Sequence, residues 1–389
     1  MASSSSEEIS KKKMKVSVGC WLRERRVRDI VREKRRLVEV PYNATLSSTV
    51  NALVANNVVA VPVAAPPGRY IGAGGSMILE SDPATGAVRK HYIGIITMLD
   101  VVVHIAGDEP VGADDEVDLD RKMALPVSSV IGHSLEGLTL WSLNPNTSIL
   151  DCMETFSKGV HWALVPVESQ ADGEMAVELV KASPGYRMLT QMDFLSFLRA
   201  NMNELKDITI HSVGELEVVN ENVFAITKNT KVIDAIRSMR SYSLGIIPVI
   251  AADASDDSGE ETILQDGRGK SLIDAFSVID LQSCSIAQLQ SMLNVTVMEF
   301  KERASEITAT TAGTVEKQSQ KLITCHSETT LAEVITEAAL AHVHRVWVVD
   351  EQGLLRGFVS LTDMLGAIRN KALASENELQ DVPATEPPI

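Results

Sequence analysis

The sequence predicts an α/β (α+β) chain in which one β-α-β-β-α unit recurs four times and the units pair into two modules. Three observations carry that expectation. Four Thr-led segments place apolar residues at helical spacing; a compact β-branched strand follows each; and a second strand then closes on the pattern [ST]-x-x-D. Apolar strands alternating with amphipathic helices imply sheets covered by helices.

The first helix of each unit shows the i, i+3/i+4, i+7 stripe of one buried face. Thr45 precedes Leu46, Val50, Leu53 and Val54, and Thr147 precedes Ile149, Cys152, Met153 and Phe156. Thr230 precedes Val232, Ala235, Ile236 and Met239, and Thr329 precedes Leu331, Val334, Ile335 and Ala338. The strands that follow read VVAVPV (58–63), ALVPV (163–167), GIIPVI (245–250) and RVWVVD (345–350). The second strands end in GIITMLD (94–100), YRMLTQMD (186–193), AFSVID (275–280) and GFVSLTD (357–363), with the aspartates roughly ninety residues apart. Such a unit leaves an apolar face uncovered when alone, so pairing of units one with two and three with four is the natural solution.

The 389 residues suggest two or three domains, and 45% hydrophobic with 23% charged residues is an ordinary globular composition. A formal charge of −16 opposes nucleic-acid binding, which needs a net basic face. Aromatic residues at 4% leave little for a base-stacking platform. The four cysteines (Cys20, Cys152, Cys284 and Cys325) are far apart and form no CxxC pair, the pattern of reduced thiols. No apolar run reaches the length of a membrane span; the best, Leu53 to Val63, is broken by Asn56, Asn57 and Pro62. The first residues, MASSSSEEISKKK, lack an apolar stretch and carry Glu7 and Glu8, so the expected address is cytoplasmic, nuclear or both.

The chemistry-bearing motif is the strand end: Thr97/Asp100, Thr190/Asp193, Ser277/Asp280 and Ser360/Asp363. One reading is a helix cap, in which the hydroxyl and the acid three residues later satisfy the first turn. The other is a corner for phosphate and ribose, with the carboxylate accepting from sugar hydroxyls. The two are compatible.

With these residues in place, the chain resembles a known family. The fourfold unit with its strand-end [ST]-x-x-D is similar to four cystathionine-β-synthase (CBS) motifs forming two Bateman modules. His344-Arg345 before VWVVDEQG, with GFVSLTDML after it, resembles the last repeat of the gamma regulatory subunit of AMP-activated and sucrose-non-fermenting-type kinases. LVEVPYNATL, VAVPVAAPPG and HYIGIITMLD resemble the plant gamma-like branch, and the likeness covers about residues 21–372.

The resemblance implies a non-catalytic regulatory subunit with AMP, ADP or ATP as regulatory ligands, no catalytic cofactor and no metal. It implies kinase catalytic (alpha) and beta-type scaffold subunits as partners. It places Asp363 on the ribose, Ser360 near the phosphate, and His344 and Arg345 on the phosphate. Thr230, Ala235, Ala341 and Phe358 would wall the adenine. A second pocket would use Thr97 and Asp100 with His161, but Trp162 stands where a basic residue is expected, and Val58 and Leu244 are its counterparts in units one and three. That departure supports an alternative, an interaction scaffold that has lost nucleotide sensing.

The boundaries that follow are 1–14, a disordered tail; 15–108, motif one with a leading basic helix and a 64–90 insertion; 121–203, motif two; 204–294, motif three with an acidic 251–262 loop; 295–372, motif four; and 373–389, an acidic, proline-bearing tail. Residues 107–120 form a further acid-rich loop. The eight basic residues of 23–36, backed by Trp21, Val27, Ile30 and Val31, predict an amphipathic helix that packs with its charges solvated, an acidic or membrane-surface partner being the alternative. Gly267 to Ser271 ends like a P-loop but lacks the earlier glycine and a preceding strand, and Gly72 to Gly75 does not complete GxGxxG. His342-x-His344 lacks a third metal ligand. No nucleophile-and-base motif appears, and no spare length remains for a catalytic domain.

Overall fold

In the computed structural model, which describes residues 17–65, 92–107, 119–132, 140–167, 185–251, 262–283, 285–311 and 322–380, the chain begins with two short helices, α1 (Val18–Glu24) and α2 (Val27–Val31). The single helix expected over 23–36 is broken at Arg25 and Arg26, both extended. Trp21, Leu22, Val27 and Val31 are buried, and α1 packs against the second and fourth units rather than the first.

Unit 1 is β1 (Val40–Pro41), α3 (Leu46–Ala55), β2 (Ala60–Ala64), β3 (Tyr92–Thr97) and α4 (Met98–Ala106), followed by α5 (Leu119–Met123). Unit 2 is α6 (Ile149–Phe156), β4 (Trp162–Val167), β5 (Gly185–Thr190) and α7 (Gln191–Ala200); its first strand is reduced to one parallel bridge, Ser142 to Leu164. After α8 (Lys206–Thr209), unit 3 holds β6 (Ala225–Thr227), α9 (Val232–Ser241), β7 (Ile246–Ile250), β8 (Ile263–Leu264) and β9 (Leu272–Ser277). Where its closing α-helix is expected to start, the described residues form a 3-10 turn over Asp280–Ser283. Next come α10 (Ile286–Ser291) and α11 (Val297–Thr311), then unit 4: β10 (Thr324–Cys325), α12 (Leu331–Ala341), β11 (Arg345–Val349), β12 (Leu355–Ser360) and α13 (Leu361–Gln380). The tail expected from 373 therefore begins as helix, and Glu376 within it accepts from Arg23 Nε at 3.0 Å. The 1–14 tail, residues 381–389, and most of the 64–90, 107–120 and 251–262 loops lie outside the described residues.

Each sheet centres on the strand after the first helix, paired antiparallel to the [ST]-x-x-D strand. In units 1 and 3 the first strand joins its neighbour late for a reason visible in sequence. Pro62 and Pro248 have no N–H to donate, so β1 and β6 join their neighbours only beyond the prolines, at Val63 and Val249. At the corresponding positions of units 2 and 4, the Leu164 and Trp347 amides donate to Trp141 and Ile323 carbonyls at 2.8 and 3.0 Å.

The units pair in two directions at once. Sheet faces pair one with two, where Ala60 and Ile95 meet Trp162, and three with four, where Ile246 and Ala275 meet Trp347 and Phe358. The helix stripes cross instead: units 1 and 3 share one core, with α4 against α9, and units 2 and 4 share the other, with α6 and α7 against α12 and α13. The expectation of one-with-two pairing thus holds for sheets and not for helices. Buried Gln191 spans the second core, its amide donating to the Phe156 carbonyl at 3.0 Å and to Thr362 Oγ1 at 2.9 Å.

A reciprocal clasp joins the units of each module. The first helical N–H of Leu46, Ile149, Val232 and Leu331 donates to a carbonyl of the partner's lead segment, at Leu125, Arg25, Val295 and His211 respectively. In return Val127, Val27, Val297 and Val213, all fully buried, donate to Ala44, Thr147, Thr230 and Thr329. Amides that a helix start otherwise leaves unpaired are satisfied this way. The lead segment of every unit therefore completes its partner.

Candidate functional site

All four strand ends adopt the same corner. The aspartate Oδ2 accepts the backbone N–H and the hydroxyl of the Ser or Thr three residues earlier: 2.8 and 2.6 Å for Asp100, 2.7 and 2.7 Å for Asp193, 2.7 and 3.2 Å for Asp280, 2.9 and 2.6 Å for Asp363. The Asp100, Asp193 and Asp363 amides return a bond to the hydroxyl. The cap is therefore formed in every copy, and the surroundings decide what else each can do.

Those surroundings differ. Asp100 is completely buried and Thr97 nearly so. Asp193 is ion-paired by the Lys34 ammonium, and Arg187 Nε donates to the Lys34 carbonyl at 2.8 Å. Asp280 is pushed above the ordinary carboxylate range by burial, opposed by the charge of Lys301, which ion-pairs Asp274 at 2.7 Å. Asp363 is half-buried and lines a cleft of about 710 Å³ together with Ser157, Glu217, Asn220, Thr362 and Lys371. A larger cleft of about 1050 Å³, lined by Glu217, Glu221, His326, Glu328, Asp350 and Arg356, holds none of the residues expected to bind nucleotide.

The sign of the Asp280 shift has a measurable consequence. An acid whose folded pKa is raised contributes stability below its ordinary pKa and loses it as pH rises through the folded value. Asp280→Asn keeps an acceptor for the Ser277 amide, so its melting temperature is expected to exceed the parent's by a few degrees at neutral pH. The gain shrinks on acidification; a neutral-pH loss in thermal denaturation defeats the expectation.

The residue opposite each Ser or Thr is fixed by register: Ala60 faces Thr97, Trp162 faces Thr190, Ile246 faces Ser277 and Arg345 faces Ser360. The counterparts of Arg345 in units one and three are thus Ala60 and Ile246, two residues beyond Val58 and Leu244. Arginine occurs here only in unit 4. Its guanidinium lies 4.5 Å above the Phe358 ring and donates from Nη1 to the Ile246 carbonyl of unit 3 at 3.3 Å. Since Ile246 faces Ser277, Arg345 stands between the strand ends of both units.

Of the residues expected around one nucleotide, the fold brings together Arg345, Phe358, Ser360 and Asp363. His344 is exposed at the start of β11 and Ala341 is half-buried at the end of α12. Thr230 and Ala235 have no exposed surface: the Thr230 hydroxyl donates to the Thr262 carbonyl at 2.6 Å, and Ala235 lies in the core of units 1 and 3. His161 contacts the Trp162 ring edge-on, at 5.7 Å between centroids.

Two features escaped sequence reasoning. The clasp carries a signal at 26–30, 126–130, 212–216 and 296–300, where a valine in second place is followed two residues on by Asp, Ser or Glu and then an apolar residue. Lys34 was absorbed into a run of charges whose contacts depend on the strand it crosses. Among the described residues, no cluster of His, Cys, Asp and Glu could hold a metal, and no helix is long and apolar enough to cross a membrane. Burial pushes the Cys152 and Cys325 thiols up to about 12.

A fourfold β-α-β-β-α repeat, with capping carboxylates at matching strand ends and sheets paired within modules, defines a CBS-domain protein with two modules of two motifs. The CBS domain family model matches residues 315–370, within the fourth unit and the segment before it. The chain belongs more narrowly to the gamma-like regulatory subunits of SNF1-related protein kinases. It is 48% identical over 349 residues to the SNF1-related protein kinase regulatory subunit gamma-like PV42a of Arabidopsis thaliana, covering 88% of this chain and 94% of that one. The 5'-AMP-activated protein kinase subunit gamma of Saccharomyces cerevisiae is 21% identical, over 87% of this chain and 88% of its own. A solved structure from Methanocaldococcus jannaschii, described as a candidate archaeal homologue of g-AMPK, superposes with a TM-score of 0.56 at 18% identity, covering 88% of this chain and 99% of that one. The Arabidopsis relative is named as a regulatory subunit and the yeast one as a gamma subunit.

Proposed function

We propose that the chain is the non-catalytic, gamma-like regulatory subunit of a SNF1-related serine/threonine kinase complex and senses adenine nucleotides at the junction of units 3 and 4. The observation that carries this is Arg345: a guanidinium stacked on Phe358, level with Ser360 and its capping Asp363, and reaching unit 3. A planar fork suits phosphate oxygens, and a carboxylate beside it suits ribose hydroxyls. A nucleotide that prefers one arrangement of the units biases a bound kinase by the difference in affinity. The relatives' names, which make them subunits of protein kinases, support a kinase complex as partner; a catalytic (alpha) and a beta-type scaffold subunit, and an address in cytoplasm or nucleus, belong to the same proposal. A CBS scaffold without sensing is the second reading, favoured by Trp162 standing where unit 4 has Arg345.

Calorimetric titration of the full chain with AMP, ADP and ATP tests the proposal. Binding in the micromolar range is expected, weakened about 10–100-fold in Asp363→Ala and Arg345→Ala, the loss of one charge-assisted contact. No heat and no change in melting temperature at millimolar nucleotide would leave the scaffold reading in its place.

A further inference from the structure

We infer that only the module of units 3 and 4 is open to a ligand, because side chains of this chain have filled the module of units 1 and 2. The inference rests on the nucleotide reading above and says where it applies.

Three independent contacts close the first module. Trp162 occupies the register position of Arg345 but is 8% exposed and packs on Ala60 and Ile95, so an indole takes the place of a phosphate-binding cation. Asp100 has no exposed surface, whereas Asp363, with the same cap, is half-buried. Asp193 carries the Lys34 ammonium; the two side chains are 22% and 25% exposed, a partly desolvated pair that solvent screens less than a surface one. Arg187 holds the Lys34 backbone on β5, so the cation is tethered.

The second module supplies the contrast. Its lead segment crosses β12 in the corresponding way, with Asn220 and Phe358 exchanging backbone bonds at 2.8 and 3.0 Å. That segment brings Glu217 and Glu221, not a lysine, to the cleft lined by Asp363; Lys371 joins the lining from two turns further along α13. The aspartate that a lysine of the chain holds in one module is thus left facing a cleft in the other. Among the described residues, a guanidinium opposite the strand-end hydroxyl and a capping carboxylate that faces a cleft occur in the same unit only at Arg345 and Asp363.

Hydrogen–deuterium exchange of the full chain, with and without saturating AMP or ATP, tests this. Slowed exchange is expected at 345–349 and 355–365 and not at 92–103 or 185–195. In the absence of nucleotide, Lys34→Ala is expected to speed exchange several-fold at 190–193, with Lys34→Arg restoring protection. Nucleotide-induced protection at 92–103 or 185–195 overturns the inference, as does unchanged exchange in Lys34→Ala. Absence of protection anywhere defeats the nucleotide reading alone, and the Lys34 comparison then decides the closure.

Discussion

Trp347→Ala is expected to lower unfolding free energy by about 3–5 kcal/mol, the cost of deleting a large buried aromatic that its surroundings cannot refill. Trp347 is 1% exposed and lies between the sheets of units 3 and 4, edge-on to Phe358 at 5.8 Å between centroids. Phe358 is in turn the platform for Arg345. The substitution should therefore loosen the guanidinium as well as the sheet pair, so that denaturant stability and any nucleotide affinity fall together. Phe358→Leu keeps most of the apolar volume while removing the stacking face; it should cost less stability and still weaken nucleotide binding. A stability loss below about 1 kcal/mol in Trp347→Ala would mean that the two sheets hold without this contact.

Gly357→Ala should destabilise by about 1–3 kcal/mol although it adds a single methyl group. A Cβ there would lie 2.6 Å from Val219 Cγ1 and 2.7 Å from the Asn220 carbonyl oxygen. The first neighbour is a side chain that can turn aside; the second is backbone, held by the exchange of bonds with Phe358. Relief requires the lead segment of unit 3 to lift off β12, which reshapes the cleft beside Asp363. Chemical denaturation of the Gly357→Ala chain provides the check, and Val219→Ala in the same chain should restore only part of the loss. A neutral Gly357→Ala would show that the lead segment is not seated as described.

The repeat, the order of its elements and the four strand-end carboxylates were legible because each depends on local spacing. Details governed by contacts between units were not. Helices expected after Thr147, Thr230 and Thr329 begin one residue later, with Ser148 and Thr330 as caps and Lys231 in the third place. The threonine carbonyl is taken by the buried valine of the clasp, which shifts the cap onward. The same clasp breaks the basic helix at Arg25, because that carbonyl must face Ile149. The resemblance placed Thr230 and Ala235 on the adenine, and a helical stripe by itself cannot say which of two partners it meets. The stripe of α9 meets α4, and both residues are sealed inside the molecule. Lys34 could be found only by following the chain to Asp193, far along the sequence.

The crossed helix cores also set a timetable for synthesis. The apolar side of α4, complete once Ala106 has emerged, has its partner in α9, which starts at Val232. At ordinary elongation rates the first half of the chain must therefore wait on the order of ten seconds with that side bare. Its own module can form meanwhile through the sheets and the valine clasp, since both lie in the first half.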